Sequence, residues 1–147
     1  MEISGLYLAL GLFGLTLLAG IFYKVSAGSG RSIQKSEVID LGRIGAQKNG
    51  FPVTEVGKGA TLLQFSTEYC GQCPGVRRSL AQIEYRTGGV LHAEVDLTDR
   101  LDLAARFKIS QTPTVFILNP KGEVVFRVSG VPKPGLIQQE LTKLGIK

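Results

Sequence analysis

The chain has 147 residues, enough for one domain of ordinary size with an appended segment. Its 17 Lys and Arg against 12 Asp and Glu give a net charge of +5, yet the basic residues stand singly apart from Arg77-Arg78. No basic stripe or aromatic platform marks a nucleic-acid surface, and two cysteines with one histidine are too few for a four-ligand zinc site in one chain.

The first element is apolar throughout. Between Glu2 and Lys24 run 21 uncharged residues, ISGLYLALGLFGLTLLAGIFY, which as a helix reach roughly 31 Å, about the thickness of a hydrocarbon core. This predicts a transmembrane anchor over residues 3–23 that contacts the lipid bilayer, with Tyr7, Phe22 and Tyr23 as interfacial residues. A cleaved signal peptide is the alternative, since Val25-Ser26-Ala27 offers small residues to a peptidase. Against it stand Glu2, the absence of Lys or Arg before the run, and a length beyond the roughly 7 to 15 residues of a cleaved segment. Lys24, Arg31 and Lys35 flank the far end, so the positive-inside rule places residues 24–147 in the cytoplasm of a single-pass cell-membrane protein. The extracytoplasmic orientation is the alternative. From Lys24 onward, 17 basic against 11 acidic residues leave a net of +6, a solvated basic surface that also suits anionic headgroups or acidic partners.

Residues 24–57 read as a tether and weakly structured lead-in. SAGSGRS (26–32) has the composition of a flexible linker, and residues 33–57, with four glycines, predict at most one short helix or strand. The domain proper is expected over 58–147. ATLLQFS (60–66) is a short run of strand formers. Beyond Cys73, Val76, Leu80, Ile83 and Tyr85 recur at helical spacing until Gly88-Gly89. VLHAEVDL (90–97) reads as a strand and residues 99–109 as a helix with Leu103, Ala104 and Phe107 on one face; Leu101 and Phe107 are expected in the core. TVFILN (114–119) is a third strand. Pro120-Lys121-Gly122 turns into EVVFRVSG (123–130), whose alternation suggests an antiparallel edge. A last helix is expected over 135–144, with Leu136, Leu141 and Leu144 as its apolar side. The order β-α-β-α-β-β-α predicts an α/β fold, a mixed sheet flanked by helices on both faces.

Both cysteines lie in Thr67-Glu68-Tyr69-Cys70-Gly71-Gln72-Cys73-Pro74, between the end of a strand and the start of a helix. There the unpaired N–H groups and the helix dipole stabilise an anion, so the Cys70 thiol is expected below its ordinary pKa. The two-residue spacing brings Cys73 close enough to attack a mixed disulfide formed at Cys70. A structural staple is disfavoured because so short a loop removes little denatured-state entropy. Two readings stay open: a redox dithiol, and a module in which soft thiolates hold Cu(I) or mark a docking surface. Pro74 is tolerated within the first helical turn.

ATLLQFSTEYCGQC, VDLTDRLDLAARFKISQTPTVFIL and GEVVFRVSG, in that order, resemble the active-site strand, middle helix with its Thr-Pro-Thr turn, and Gly-bounded hairpin of the thioredoxin family. The resemblance implies a thioredoxin-like fold and thiol–disulfide exchange with protein disulfide substrates and an upstream redox partner protein. The redox-active disulfide Cys70–Cys73 would carry the electrons, with no organic cofactor and no metal. Pro113 falls where the family has a cis-proline facing the cysteines, and Thr112 would offer its backbone to a substrate segment beside Tyr69, Gly71 and Gln72.

Departures from the family pattern concern the proton. Tyr69 stands in place of the usual Trp, and Gln72 in place of Pro or His. Gln64 falls where the family has a buried acid, and an amide cannot accept the Cys73 proton as a carboxylate does. Glu94 falls on the position of the lysine that neighbours that acid. The candidate proton acceptor is therefore Glu94, acting through water, hydrogen-bonded to Gln64 and raised in pKa by burial. The alternative leaves Glu94 at a solvated strand end and gives the work to water. Glu68 is a second candidate base, Arg77 and Arg78 could support a thiolate, and His92 reads as a structural strand residue.

Overall fold

A computed structural model describes residues 2–26, 28–33 and 37–146, so Ala27 and Lys35, which bear on processing and orientation, lie outside the described residues. Helix α1 (Glu2–Ser26) leads the chain. Within it, Gly5–Ser26 has a mean hydropathy of 2.0 and none of its apolar window is buried, so it is long and apolar enough to cross a membrane. A signal sequence meets the same criteria.

The rest of the chain builds a seven-stranded mixed sheet from β1 (Gly30–Ser32), β2 (Gln47–Lys48), β3 (Phe51–Pro52), β4 (Ala60–Ser66), β5 (Val90–Asp96), β6 (Thr114–Leu118) and β7 (Val124–Ser129). Their spatial order is β1-β7-β6-β4-β5-β2-β3. β4 and β5 pair in parallel, joined by α2 (Cys73–Arg86), whereas β6 pairs antiparallel with both β4 and β7. α3 (Leu101–Arg106) and α4 (Leu136–Lys143) complete the fold. Every residue of β4 and β6 is buried because helices cover both faces, which is why their sequences run apolar without alternation.

The two faces carry separate cores. Toward α3, Phe65, Phe107 and Phe116 form a ring cluster with centroids 4.9 to 6.0 Å apart, packed with Leu63, Val95 and Leu103. Toward α2 and α4, Leu62, Val76, Leu80, Ile117, Ile137 and Leu141 pack together. The helical periodicities behind these contacts hold for Val76, Leu80, Leu103 and Phe107, and fail at the ends of each helix. Tyr85 is 92% exposed and Leu101 78%, Leu144 is also exposed, and Ile137 takes the buried position instead. The helix expected over 99–109 is six residues long, with Arg100 and Phe107 outside helical geometry at its ends.

The lead-in is more structured than its composition suggests. Three strands fall within residues 30–52, and Ile39, Leu41, Ile44 and Ala46 enter the α3-side core. Strands of two or three mostly exposed residues carry no alternation to read. β7 is consequently interior to the sheet, and β1 forms the edge in its place. Gly30, read as linker, has a packing reason: a Cβ there would lie 1.9 Å from the Phe126 ring.

Candidate active site

β4 ends at Ser66 and α2 starts at Cys73, so the segment 67–72 sits at the mouth of a β-α crossover. Cys70 and Cys73 form a disulfide with an S–S distance of 2.02 Å and Cα atoms 5.5 Å apart. Their accessibilities differ. Cys73, the first residue of α2, is 2% exposed, while Cys70 is only half-buried and can be approached from solvent. Cys70 N–H donates to the Thr67 carbonyl and Cys73 N–H to the Cys70 carbonyl, which fixes the loop; Pro74 lies in the first turn, where no N–H is missed. Gln72 occupies the N-cap without a side-chain cap.

Around Cys70, Tyr69 is 84% exposed, and Gly71 and Gln72 are exposed as well. The Thr112–Pro113 peptide bond is cis. Thr67 Oγ1 and Thr112 Oγ1 lie 3.4 Å apart, which brings the cysteine loop and the proline turn together, and the Pro113 carbonyl accepts from Gly130 N–H at 2.8 Å. The cysteine loop and the proline turn are therefore neighbours, with Thr112 half-buried and Pro113 buried behind it. Glu68 is exposed, with its backbone N–H given to Thr98 Oγ1, and Arg78 is exposed on α2.

The polar residues beneath Cys73 are arranged differently from the expectation. Gln64, fully buried, donates from Nε2 to the Cys73 carbonyl at 3.1 Å, and its Oε1 faces His92 Nε2 at 3.3 Å. Glu94 makes no hydrogen bond to Gln64. It accepts from Ser66 Oγ and from the Arg77 guanidinium in a bidentate pair at 2.5 Å. Burial pushes the Glu94 carboxyl up, but the Arg77 and Ser66 hydrogen bonds together with the charges of Arg77 and His92 bring it below its ordinary value. The expected raised pKa is therefore corrected: a carboxylate held ionised by Arg77 is a weak proton acceptor near neutrality. Arg77 correspondingly is raised, by its hydrogen bond to Glu94, and points to that carboxylate.

His92 is the residue that sequence reasoning left out of the site. It is 7% exposed, and Glu84 Oε1 accepts from its backbone N–H while also pairing with Lys48. Burial pushes its ring below the ordinary imidazole value, against the pull of Glu94 and Glu84. The available signal was register: β4 and β5 are parallel with Leu62 opposite His92 and Gln64 opposite Glu94, which places all three polar residues on the α2 face. Lys48, Ser66, Arg77, Glu84, His92 and Glu94 line a groove of about 670 Å³ there. Among the described residues, no group of three His, Cys, Asp or Glu side chains is placed to hold a metal ion.

Comparison with known proteins places this arrangement. The family model described as Thioredoxin matches residues 47–143. Mouse mitochondrial thioredoxin is 30% identical over 87 residues, a match that covers 56% of this chain and 50% of the mouse protein. The thioredoxin of Mycoplasma pneumoniae is 31% identical over 78 residues, covering 52% and 76%. The chain thus spans about half the length of the mitochondrial relatives it matches and three quarters of the bacterial one. Among solved structures, spinach chloroplast thioredoxin f is similar in fold with a TM-score of 0.53 at 22% identity, covering 60% of this chain and 79% of that one. Fasciola hepatica thioredoxin gives 0.50 at 21%, covering 59% and 82%.

Proposed function

The chain belongs to the thioredoxin family, and from that premise we propose that it is a membrane-tethered oxidoreductase exchanging disulfides with protein substrates through Cys70 and Cys73. The observation that carries this reading is the unequal exposure of the pair: an approachable Cys70 beside a cis-proline turn, and a buried Cys73 one disulfide away. In the reducing direction, the Cys70 thiolate attacks a substrate disulfide, one substrate sulfur leaves as a thiolate, and a mixed disulfide forms. The Cys73 thiolate then attacks Cys70 Sγ, which closes the Cys70–Cys73 bond and releases the second substrate sulfur. The dipole at the start of α2 and the unpaired N–H groups of its first turn favour the thiolate.

Tyr69, Gly71, Gln72, Thr112 and Pro113 receive the substrate as an extended segment, recognised largely through backbone hydrogen bonds. An upstream redox protein resets the cysteine pair, so no organic cofactor is needed. Residues 3–23 anchor the protein in a bilayer, and Lys24 and Arg31 favour a cytoplasmic domain. In that compartment, where thiols are kept reduced, the protein works as a reductase.

Insulin disulfide reduction by the full chain in detergent micelles, with a dithiol as electron donor, tests the reading. Turnover abolished in Cys70→Ser is expected. Turnover unaffected by that substitution, or absent while the wild-type protein binds Cu(I) one to one, would replace catalysis by a binding role.

A further inference from the structure

The contacts of Gln64 constrain the ring beside it. Because Gln64 Nε2 donates to the Cys73 carbonyl, its Oε1 is the atom that meets His92, and a carbonyl oxygen accepts only. His92 Nε2 must therefore carry a hydrogen in both the neutral ring and the imidazolium. Protonation and deprotonation are confined to Nδ1, and neither breaks the chain that runs from the ring through Gln64 to the backbone of the buried cysteine.

We infer that His92 is a positioning residue for Cys73, held in one tautomer by Gln64 so that Nδ1 keeps in the site the proton Cys73 gives up on becoming a thiolate. The inference rests on the thiol–disulfide reading. Reduction of the disulfide takes two electrons from a donor dithiol and two protons, breaking the Sγ–Sγ bond. Where Cys73 is present as thiolate, one of those protons resides on His92 Nδ1, and the imidazolium charge, held close to the Cys73 backbone by the Gln64 amide, favours the thiolate through space. On resolution the thiolate's electron pair forms the bond to Cys70, His92 gives its proton up to solvent, and the leaving substrate thiolate takes a proton from solvent.

The groups that face the ring set the balance. Glu94 on its own strand and Glu84 on α2 draw a proton onto it, Arg77 on α2 and Lys48 on β2 oppose it, and burial opposes it most. With Glu94 tied to Arg77, the imidazole is the group in this face whose ordinary titration range lies nearest neutral pH.

His92 is the only histidine in the chain, so its ring signals are unambiguous. The test is an NMR titration of the full chain in detergent micelles, with nitrogen-labelled histidine, from about pH 5 to 8, in the disulfide and dithiol-reduced forms. The expected result is titration at Nδ1 with Nε2 protonated throughout, and a pKa raised on reduction by about half a unit or more. In Gln64→Leu that difference should shrink or vanish. An equal pKa in the two redox forms of the wild type, or titration at Nε2, overturns the inference. No protein substrate is involved, so a lack of insulin turnover would reject the exchange reading without touching this result.

Discussion

The two faces of the central strands β4 and β5 divide stability from chemistry. Facing α3, the odd positions Leu63, Phe65, Ala93 and Val95 meet Phe107 and Phe116 in a layer of aromatic and aliphatic side chains. Facing α2, the even positions begin apolar, with Ala60, Leu62 and Val90, and turn polar at Gln64, Ser66, His92 and Glu94 as the strands approach the cysteines. Near the cysteines the first face is held by apolar burial, its one buried polar residue on β4, Thr61, lying at the far end and accepting from Gly57 N–H. The other accepts buried polar groups, each needing a partner, at the end of the strands nearest the cysteines. The same two strands thus tolerate chemistry because it is confined to one face and one end.

Substitutions on either side of the sheet sharpen this contrast. Phe65→Ala removes the ring at the centre of the aromatic cluster and should cost about 3 to 5 kcal/mol of stability by denaturant unfolding, while the protein that remains folded still reduces insulin. Gln64→Leu, on the other face, strips the Cys73 carbonyl and the His92 ring of their partner. About 1 to 3 kcal/mol is expected, together with slower release of substrate from the mixed disulfide, which Phe65→Ala does not cause. An effect of Gln64→Leu on stability alone would remove the distinction between the faces.

Acidification probes the polar face directly. The folded-state pKa of His92 is depressed by burial, so its stabilising contribution is fully present above the unfolded value of about 6.5 and is lost as pH falls through the folded value. Glu94, also depressed, adds a second loss at lower pH. Unfolding midpoints of the disulfide form should therefore decline below about pH 6.5, and His92→Asn should remove that first decline. The smallest effect is expected from Glu94→Gln. Its partner Arg77 has a side chain 52% exposed, so the pair is worth about 1 kcal/mol or less. The rate and pH profile of mixed-disulfide resolution should stay within about twofold of wild type, where a base acting on Cys73 would lose far more.

The sequence made the sheet legible where strands are long and buried: ATLLQFS, VLHAEVDL and TVFILN each fall within a residue of an observed strand end. Motif order then indicated the crossover and the cysteine loop. The short outer strands escaped because β1, β2 and β3 are two or three residues long and mostly exposed, too short for a period to emerge. Leu101 and Tyr85 misled for a related reason, since at the end of a helix an apolar residue can complete a pattern without a surface to cover it. In the site, the two-residue spacing located Cys70 and Cys73, and the resemblance to the thioredoxin family located Pro113. The polar contacts under Cys73 depend on which side-chain atoms meet across β4, β5 and α2. Gln64 could have paired with either polar neighbour on β5, and only the placement of its amide against the Cys73 carbonyl turns it toward His92 rather than Glu94.

The central claim is that Cys70 attacks and Cys73 resolves, and trapping tests it most directly. The full chain carrying Cys73→Ser, incubated with a disulfide-bonded protein substrate and analysed by mass spectrometry, should accumulate a covalent adduct on Cys70. Cys70→Ser should form little or none, because its remaining thiol is buried. Equal adduct formation by the two variants, or adducts on neither, would contradict the account.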